Sequence, residues 1–191
     1  MKYTHRFWIV LLTSVVAMSC KTEMIERVDE FSLEQGGYMR TVTPFPAVAT
    51  TFNVSKANMG GTKMEFVAEA VTPDKGALFS SYDLSIRFVD TTPANGDKTT
   101  TVATLRSIPA SAYAKDATTG YPRATISVTG AEALTATKLT AADVSVGDRF
   151  EITAVMKLSD GKSFTAANTG ANITGGAFYS SPFAYRLNVV Q

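Results

Sequence analysis

The stretch Arg149-Phe-Glu-Ile-Thr-Ala-Val-Met-Lys-Leu158 decides the fold class, because apolar and polar side chains alternate along almost all of it. Alternation with a period of two is typical of a strand that buries one face and exposes the other. Asp160-Gly161 follows with the sequence of a tight hairpin turn, and Phe164 and Ala166 continue the apolar face on the return. We therefore predict a β-hairpin at this point of the chain.

The rest of the chain divides into further strand-length segments separated by turn-forming residues. Alternation predicts these strands at 38–42, 50–54, 63–71, 83–89, 100–108, 123–129 and 183–190. Thr129-Gly-Ala-Glu132 is a capping box and predicts one short helix over 131–138. About eight strands and one short helix predict an all-β protein, folded as a single β-sandwich, with a closed barrel as the alternative.

The order of elements around the hairpin resembles the latter half of fibronectin-type and immunoglobulin-type sandwiches. A linking turn, Gly147-Asp148, precedes an aromatic-led strand, an Asp-Gly turn and a return strand. Phe150 stands where many of those domains have a corner tyrosine, so the hydrogen bond of that corner is missing. The resemblance implies an immunoglobulin/fibronectin-like sandwich.

The first nineteen residues have the three parts of a secretory signal: the basic Lys2 and Arg6, an apolar run over 7–16, and small residues before Cys20. The run is too short for a spanning helix, which needs about 20 apolar residues. Ala17-Met-Ser-Cys20 resembles a bacterial lipobox, with Ala17 where leucine is usual. That resemblance implies lipidation of Cys20, and a plain signal peptide is the alternative.

We predict three regions: a lipoprotein signal peptide over 1–19, a lipid-anchored tether over 20–35, and a β-sandwich domain over 36–191. A short amphipathic helix is the alternative for the tether. Removal of the signal peptide takes away His5 and Trp8, the sole residues of their kinds.

The mature chain has an inventory that excludes several function classes. It keeps 16 basic residues (18 less Lys2 and Arg6) against 17 acidic ones, a net charge of −1 that favours no nucleic-acid partner. Without histidine, Ser-His-Asp and Cys-His catalysis are excluded, as are His- or Cys-ligated zinc sites. We expect the acidic residues to be solvated on outward strand faces, and we predict that the protein is not an enzyme.

Aromatic and amide side chains supply the candidate ligand-binding residues. Five tyrosines are predicted at strand ends or in loops, where their rings could stack on sugars: Tyr38, Tyr82, Tyr113, Tyr121 and Tyr179. The alternative is that each plugs an end of the sandwich with its hydroxyl in water. The loop over 168–176 adds Asn168 and Asn172, either for hydrogen bonds to a polar ligand or as part of a flexible connection.

One loop offers oxygen ligands of the kind that calcium takes, namely Asp90, Asn95 and Asp97. Their spacing is not that of an EF-hand, and the alternative is a turn stabilised by its own side chains. No other cofactor is predicted.

Four motifs together resemble a group of poorly characterised outer-membrane lipoproteins, similar to those encoded beside TonB-dependent porins and their partner lipoproteins. They are Gly36-Gly-Tyr-Met-Arg-Thr41, Ile108-Pro-Ala-Ser-Ala-Tyr113, Pro122-Arg-Ala-Thr-Ile-Ser-Val128 and Gly175-Gly-Ala-Phe-Tyr-Ser-Ser-Pro-Phe183. The resemblance implies a lipid-anchored, cell-surface protein of the outer membrane that captures glycan or another nutrient without catalysis. The alternative is a structural or assembly partner of a porin complex or an envelope adhesin.

Overall fold

In the described residues, ten strands form two sheets that face each other. The computed structural model describes residues 36–48, 50–175 and 182–191, so the predicted signal peptide, Cys20 and the tether lie outside the described residues. The strands are β1 (Tyr38–Thr43), β2 (Phe52–Ser55), β3 (Lys63–Val71), β4 (Phe79–Val89), β5 (Ala103–Pro109), β6 (Ala114–Lys115), β7 (Pro122–Thr129), β8 (Arg149–Leu158), β9 (Ser163–Phe164) and β10 (Ala184–Val190).

The order of the strands is that of an immunoglobulin sandwich. One sheet runs β1-β3-β7-β6 and the other β2-β10-β8-β4-β5, with β9 beside β8. These correspond to the A-B-E-D sheet and the G-F-C sheet of immunoglobulin domains, the second extended by β2 and β5. β2 and β10 pair in parallel, and the other neighbours pair antiparallel. The predicted all-β sandwich is confirmed, and the closed-barrel alternative is wrong because the two sheets have separate edges.

The core lies between the sheets and is built from alternate residues of each long strand. In the middle of the sandwich, Phe66 of β3 stacks on Tyr185 of β10 with ring centroids 4.4 Å apart. Phe88 of β4 and Phe150 of β8 lie 5.2 Å apart and are fully buried. Burying one such side chain stabilises the fold by roughly 1.5–3 kcal/mol, so the alternation seen in the sequence is the main source of stability.

The predicted hairpin after β8 is shorter than its sequence indicated. The return strand β9 has two residues, and Ala166 is exposed, so the prediction that it continues the inward face is wrong. β9 and β10 pair with the same edge of β8. β10 takes residues Arg149 to Thr153, which leaves β9 only the far end of β8, at Met156 and Lys157. A later strand therefore takes most of the edge that the hairpin was expected to fill.

Three short helices connect strands in the described part: α1 (Pro73–Gly76), α2 (Gly130–Thr137) and α3 (Ala171–Gly175). The capping box of α2 is confirmed, with the Glu132 amide donating to Thr129 Oγ1 at 3.1 Å and the Thr129 amide donating to Glu132 Oε2 at 2.9 Å. None of the described helices has the length and apolar character needed to cross a membrane.

Candidate functional site

A cleft of about 510 Å³ opens at one end of the sandwich, where four segments of the chain meet. They are the start of β1, the β3–β4 connection, the β6–β7 loop and the β8–β10 connection, represented in the lining by Gly37, Pro73, Tyr121 and Ile173. Antiparallel pairing places them together, because the first residue of β1, Tyr38, is opposite Val71 at the end of β3. In variable immunoglobulin domains, the loops at one end of the sandwich form the binding site.

Three aromatic side chains line this cleft, namely Tyr38, Tyr121 and Phe164, and each is half-buried. Tyr38 and Tyr121 are predicted ligand-binding residues, and the structure brings them together from segments far apart in the chain. Phe164 was assigned by its sequence pattern to the buried face of the hairpin. It reaches the cleft because β9 ends directly after it.

Asn168 lines the cleft too, but its side-chain amide is largely used within its own loop. Asn168 Oδ1 accepts the Thr165 amide at 2.7 Å, and Nδ2 donates to the Ser163 carbonyl oxygen at 2.8 Å. These bonds make Asn168 a residue that shapes the loop, with reduced capacity to bind a ligand. The side chain of Asn172 and the whole of Tyr179, also predicted as candidates, lie outside the described residues.

The floor of the cleft depends on a close approach at Gly37. A Cβ atom at this position would stand 2.8 Å from Thr72 Cγ2 and 3.2 Å from Met156 Cε. Such contacts are too short for a side chain, so a glycine is needed at position 37, where the chain enters the cleft.

The turn beside the cleft holds two residues in the left-handed backbone region. Asp74 and Lys75 in α1 have φ angles of 51° and 53°, a conformation that costs a non-glycine residue roughly 1–2 kcal/mol. The Lys75 side chain lies across the β6–β7 loop, since a Cβ atom on Gly120 would be 2.9 Å from Lys75 Cδ. Strain of this kind is concentrated at functional sites, and here it sits between two segments that line the cleft.

Tyr82 lies in the interior, so the prediction that it stands at a strand end or in a loop is wrong. It is fully buried in β4, because the strand already begins at Phe79 and its register shifts after that residue. The shift leaves Tyr82 on the same inward face as Leu84 and Ile86. Its hydroxyl donates to the Pro182 carbonyl oxygen and lies 3.2 Å from the Tyr185 hydroxyl, which shares a 2.9 Å hydrogen bond with Thr41. Burial raises the pKa of Tyr82 well above its usual value and that of Tyr185 to about 12.

Tyr113 is half-buried, with its ring edge-on to Phe79 at 4.8 Å between centroids. Its hydroxyl is buried and has no hydrogen-bond partner among the described residues, and burial raises its pKa. Tyr113 therefore packs against the sandwich as in the alternative interpretation of the tyrosines, but its hydroxyl is buried and not in water. It is not among the residues that line the cleft.

The predicted calcium loop has the geometry of a turn that its own side chains stabilise. The two carboxylate oxygens of Asp90 accept the amides of Thr92 and Lys98 at 2.8 and 3.0 Å. Asp97 accepts the Thr99 amide at 2.8 Å, and hydrogen bonds from Thr99 lower its pKa. The Asn95 side chain lies outside the described residues, and within those described no group of three acidic, histidine or cysteine residues could hold a metal ion.

The fold and the cleft together define an immunoglobulin-like sandwich with an aromatic cleft among the loops at one end. No known protein-family model matches the chain, and a search of curated proteins found no match.

Proposed function

We propose that this protein is a lipid-anchored, cell-surface binding module of the outer membrane that captures saccharide, without catalysis, in the cleft at the loop end of its sandwich. The observation that carries the proposal is the cleft of about 510 Å³ lined by Tyr38, Tyr121 and Phe164. A sugar ring has apolar C–H faces and hydroxyl edges. Aromatic faces pack against the former, and tyrosine hydroxyls bond the latter.

The lining of the cleft favours a neutral ligand. Among the described residues that line it, none carries a charged side chain. Its volume falls within the range of about 300–1,000 Å³ found for small-molecule sites, which suits a short oligosaccharide or the end of a longer chain. The apolar walls at Val71, Pro73 and Ile173 support binding through ring faces, with orientation left to a few hydroxyl and backbone groups.

The proposed anchor and the cleft lie at compatible places in the chain. Gly36 enters the domain at the cleft, and a lipid on Cys20 would precede it by 16 residues.

Calorimetry with neutral oligosaccharides tests the proposal. We expect a panel of glucan, mannan, xylan and galactan fragments to contain at least one ligand, and Tyr121→Ala to weaken its binding about tenfold, which corresponds to about 1.4 kcal/mol. Phe45→Ala is the matched control, because Phe45 is an aromatic residue of another loop and is 60% exposed. Absence of binding across the panel, or equal affinity of wild type and Tyr121→Ala, would contradict the saccharide proposal.

The anchor is tested separately by mass spectrometry of the protein extracted from membranes. We expect the mature chain to begin at Cys20 and to carry diacylglycerol and an acyl chain, and Cys20→Ser to lack both. A wild-type chain without lipid at Cys20 would refute the anchor without bearing on the cleft.

Two exposed apolar residues in one crossover favour assembly with a protein as the second candidate function. Phe45 and Val48, in the crossover from β1 to β2, are 60% and 54% exposed. Exposed apolar side chains near a sheet edge are a feature that protein contacts can use. Phe45→Glu combined with Val48→Glu should abolish co-purification of a stoichiometric partner from outer membranes. Retention of that partner by the double variant would argue against this second function.

A further inference from the structure

Glu69 is a buried carboxylate on the outer face of a sheet, where the sequence predicted solvated charge. It belongs to the outward-facing set of β3, yet it is only 1% exposed. The expectation that the acids on outward faces are solvated is therefore wrong at this position. A buried carboxylate is costly unless it is paired and hydrogen-bonded, so its partners explain why it is retained.

Two arginines pair with Glu69 from the neighbouring strands. Strand register places Arg40 of β1 and Arg123 of β7 directly opposite it, one on each side. Arg40 Nη2 lies 2.6 Å from Glu69 Oε1, and Arg123 Nε lies 2.6 Å from Oε2. One carboxylate between two guanidinium groups leaves one positive charge to be balanced.

The β6–β7 loop, residues 116–121, supplies that balance and covers the carboxylate. Arg123 Nη1 lies 2.7 Å from Asp116 Oδ2. The Thr119 hydroxyl shares its proton between Glu69 Oε2 at 3.2 Å and Asp116 Oδ1 at 3.0 Å. The loop therefore meets the β3 carboxylate directly through Thr119 and indirectly through the arginine that Asp116 and Glu69 share.

The same loop is closed on itself up to the residue that lines the cleft. The Asp116 amide donates to the Tyr121 carbonyl oxygen at 2.9 Å, and the Gly120 amide donates to the Asp116 carbonyl oxygen at 2.8 Å. Asp116 Oδ1 accepts the Thr119 amide at 2.8 Å. A loop that is closed in this way moves as a unit, so whatever holds Asp116 and Thr119 also places Tyr121.

We propose that Glu69 is the positioning residue of the cleft: it holds the 116–121 loop on the sheet, so that Tyr121 forms a fixed wall before ligand arrives. The part of this inference that concerns affinity rests on the proposed saccharide binding. Ordering one side chain on binding costs about 0.5–1.5 kcal/mol, so a loosened loop should weaken binding by about two- to tenfold.

Hydrogen exchange and calorimetry on Glu69→Gln test the proposal, with Glu65→Gln as the matched control. Glu65 lies on the same strand and the same face, but it is exposed and pairs with Lys63. Without ligand, we expect amide exchange in 116–121 to rise at least about tenfold in Glu69→Gln, while that in β8 and in the control stays at the wild-type rate. The affinity of Glu69→Gln for the saccharide that wild type binds should fall about two- to tenfold.

Glu69→Asp keeps the test decisive if Glu69→Gln does not fold, because it retains the negative charge that faces the two arginines but is one methylene too short to reach the Thr119 hydroxyl, whose bonds within the loop stay intact. We expect faster exchange confined to 116–121 in this variant as well. Unchanged exchange there in a folded variant, or a loosened loop with undiminished affinity, would overturn the proposal. If wild type binds no saccharide, the saccharide function fails, and loop exchange alone then decides whether Glu69 holds Tyr121.

Discussion

Asp148→Asn is expected to lower the free energy of unfolding by about 3 kcal/mol, because this buried carboxylate holds two connections together. Asp148 is 1% exposed at the end of the turn that enters β8. Its Oδ1 accepts the Thr91 amide and Thr92 Oγ1, each at 3.0 Å, and its Oδ2 accepts the Ser145 amide at 2.7 Å. These bonds join the segment after β4 to the turn before β8. This turn leads into the position where Phe150 replaces the corner tyrosine of many immunoglobulin-like domains.

The magnitude follows from the number and kind of these hydrogen bonds. Asparagine keeps one acceptor oxygen and replaces the other with an NH2 group. The least costly arrangement points this NH2 group at the Ser145 amide, which then has no acceptor, and keeps the oxygen for Thr91 and Thr92. Leaving a buried donor unsatisfied costs about 1–3 kcal/mol, and the bonds that remain lose the strength of a charged acceptor. Asp148 has no ion pair among the described residues, so the hydrogen bonds carry the effect.

Urea unfolding followed by circular dichroism measures the change. For a small domain the dependence on urea is about 1–3 kcal/mol per molar, so a loss of about 3 kcal/mol should lower the midpoint by roughly 1.5 M. Asp97→Asn is the control, since Asp97 is exposed and accepts a single backbone amide, and its midpoint should barely move. A midpoint for Asp148→Asn within about 0.3 M of that control would refute the role assigned to the buried carboxylate.

Two further predictions concern alkaline stability and backbone strain. Burial raises the pKa of Tyr185 to about 12, so above pH 10 the unfolded chain holds fewer protons at this residue than the folded one does. The contribution of Tyr185 to the free energy of unfolding should fall by about 1.4 kcal/mol per pH unit up to pH 12. The stability gap between wild type and Tyr185→Phe should therefore narrow between pH 10 and 12 in urea unfolding, and parallel curves would contradict this. Lys75→Gly should raise the free energy of unfolding by about 1 kcal/mol, because glycine adopts the left-handed region freely, while Lys75→Ala should give no such gain. Equal midpoints for the two Lys75 variants would show that the turn is not strained.

Local pattern was sufficient for the elements whose two faces differ clearly. β3 and β8 begin and end at the residues that alternation predicted, and α2 starts at its capping box. In each case neighbouring residues carry the whole signal. Prediction was weaker for β4, which starts four residues before the predicted Asp83, at Phe79. Two consecutive polar residues, Ser80 and Ser81, interrupt the alternation where the register shifts.

The candidate site was predicted in part. Tyr38 and Tyr121 were selected from the sequence because they flank predicted strands, and both line the cleft. Tyr82 was misplaced by the late start assigned to its strand, and Phe164 was missed as a lining residue because the hairpin was expected to continue past it. Tyr185 is not in the cleft, but it is the buried hydrogen-bond partner of Tyr82 and Thr41. Its place on the apolar face of the last strand was the sequence signal for that role, because a buried tyrosine hydroxyl needs a partner.

The sequence by itself determined the strand-rich composition of this protein, the faces of its longest strands and the cap of its helix, since these follow from interactions between residues a few positions apart. Only the tertiary structure decided which outward residues are covered and which loops meet. Thr41 reaches Tyr185 across 144 positions, and Glu69 reaches Thr119 across 50. Alternation states which way a side chain points from its strand, but the order of strands decides what it then contacts, and that order is a property of the whole packed chain.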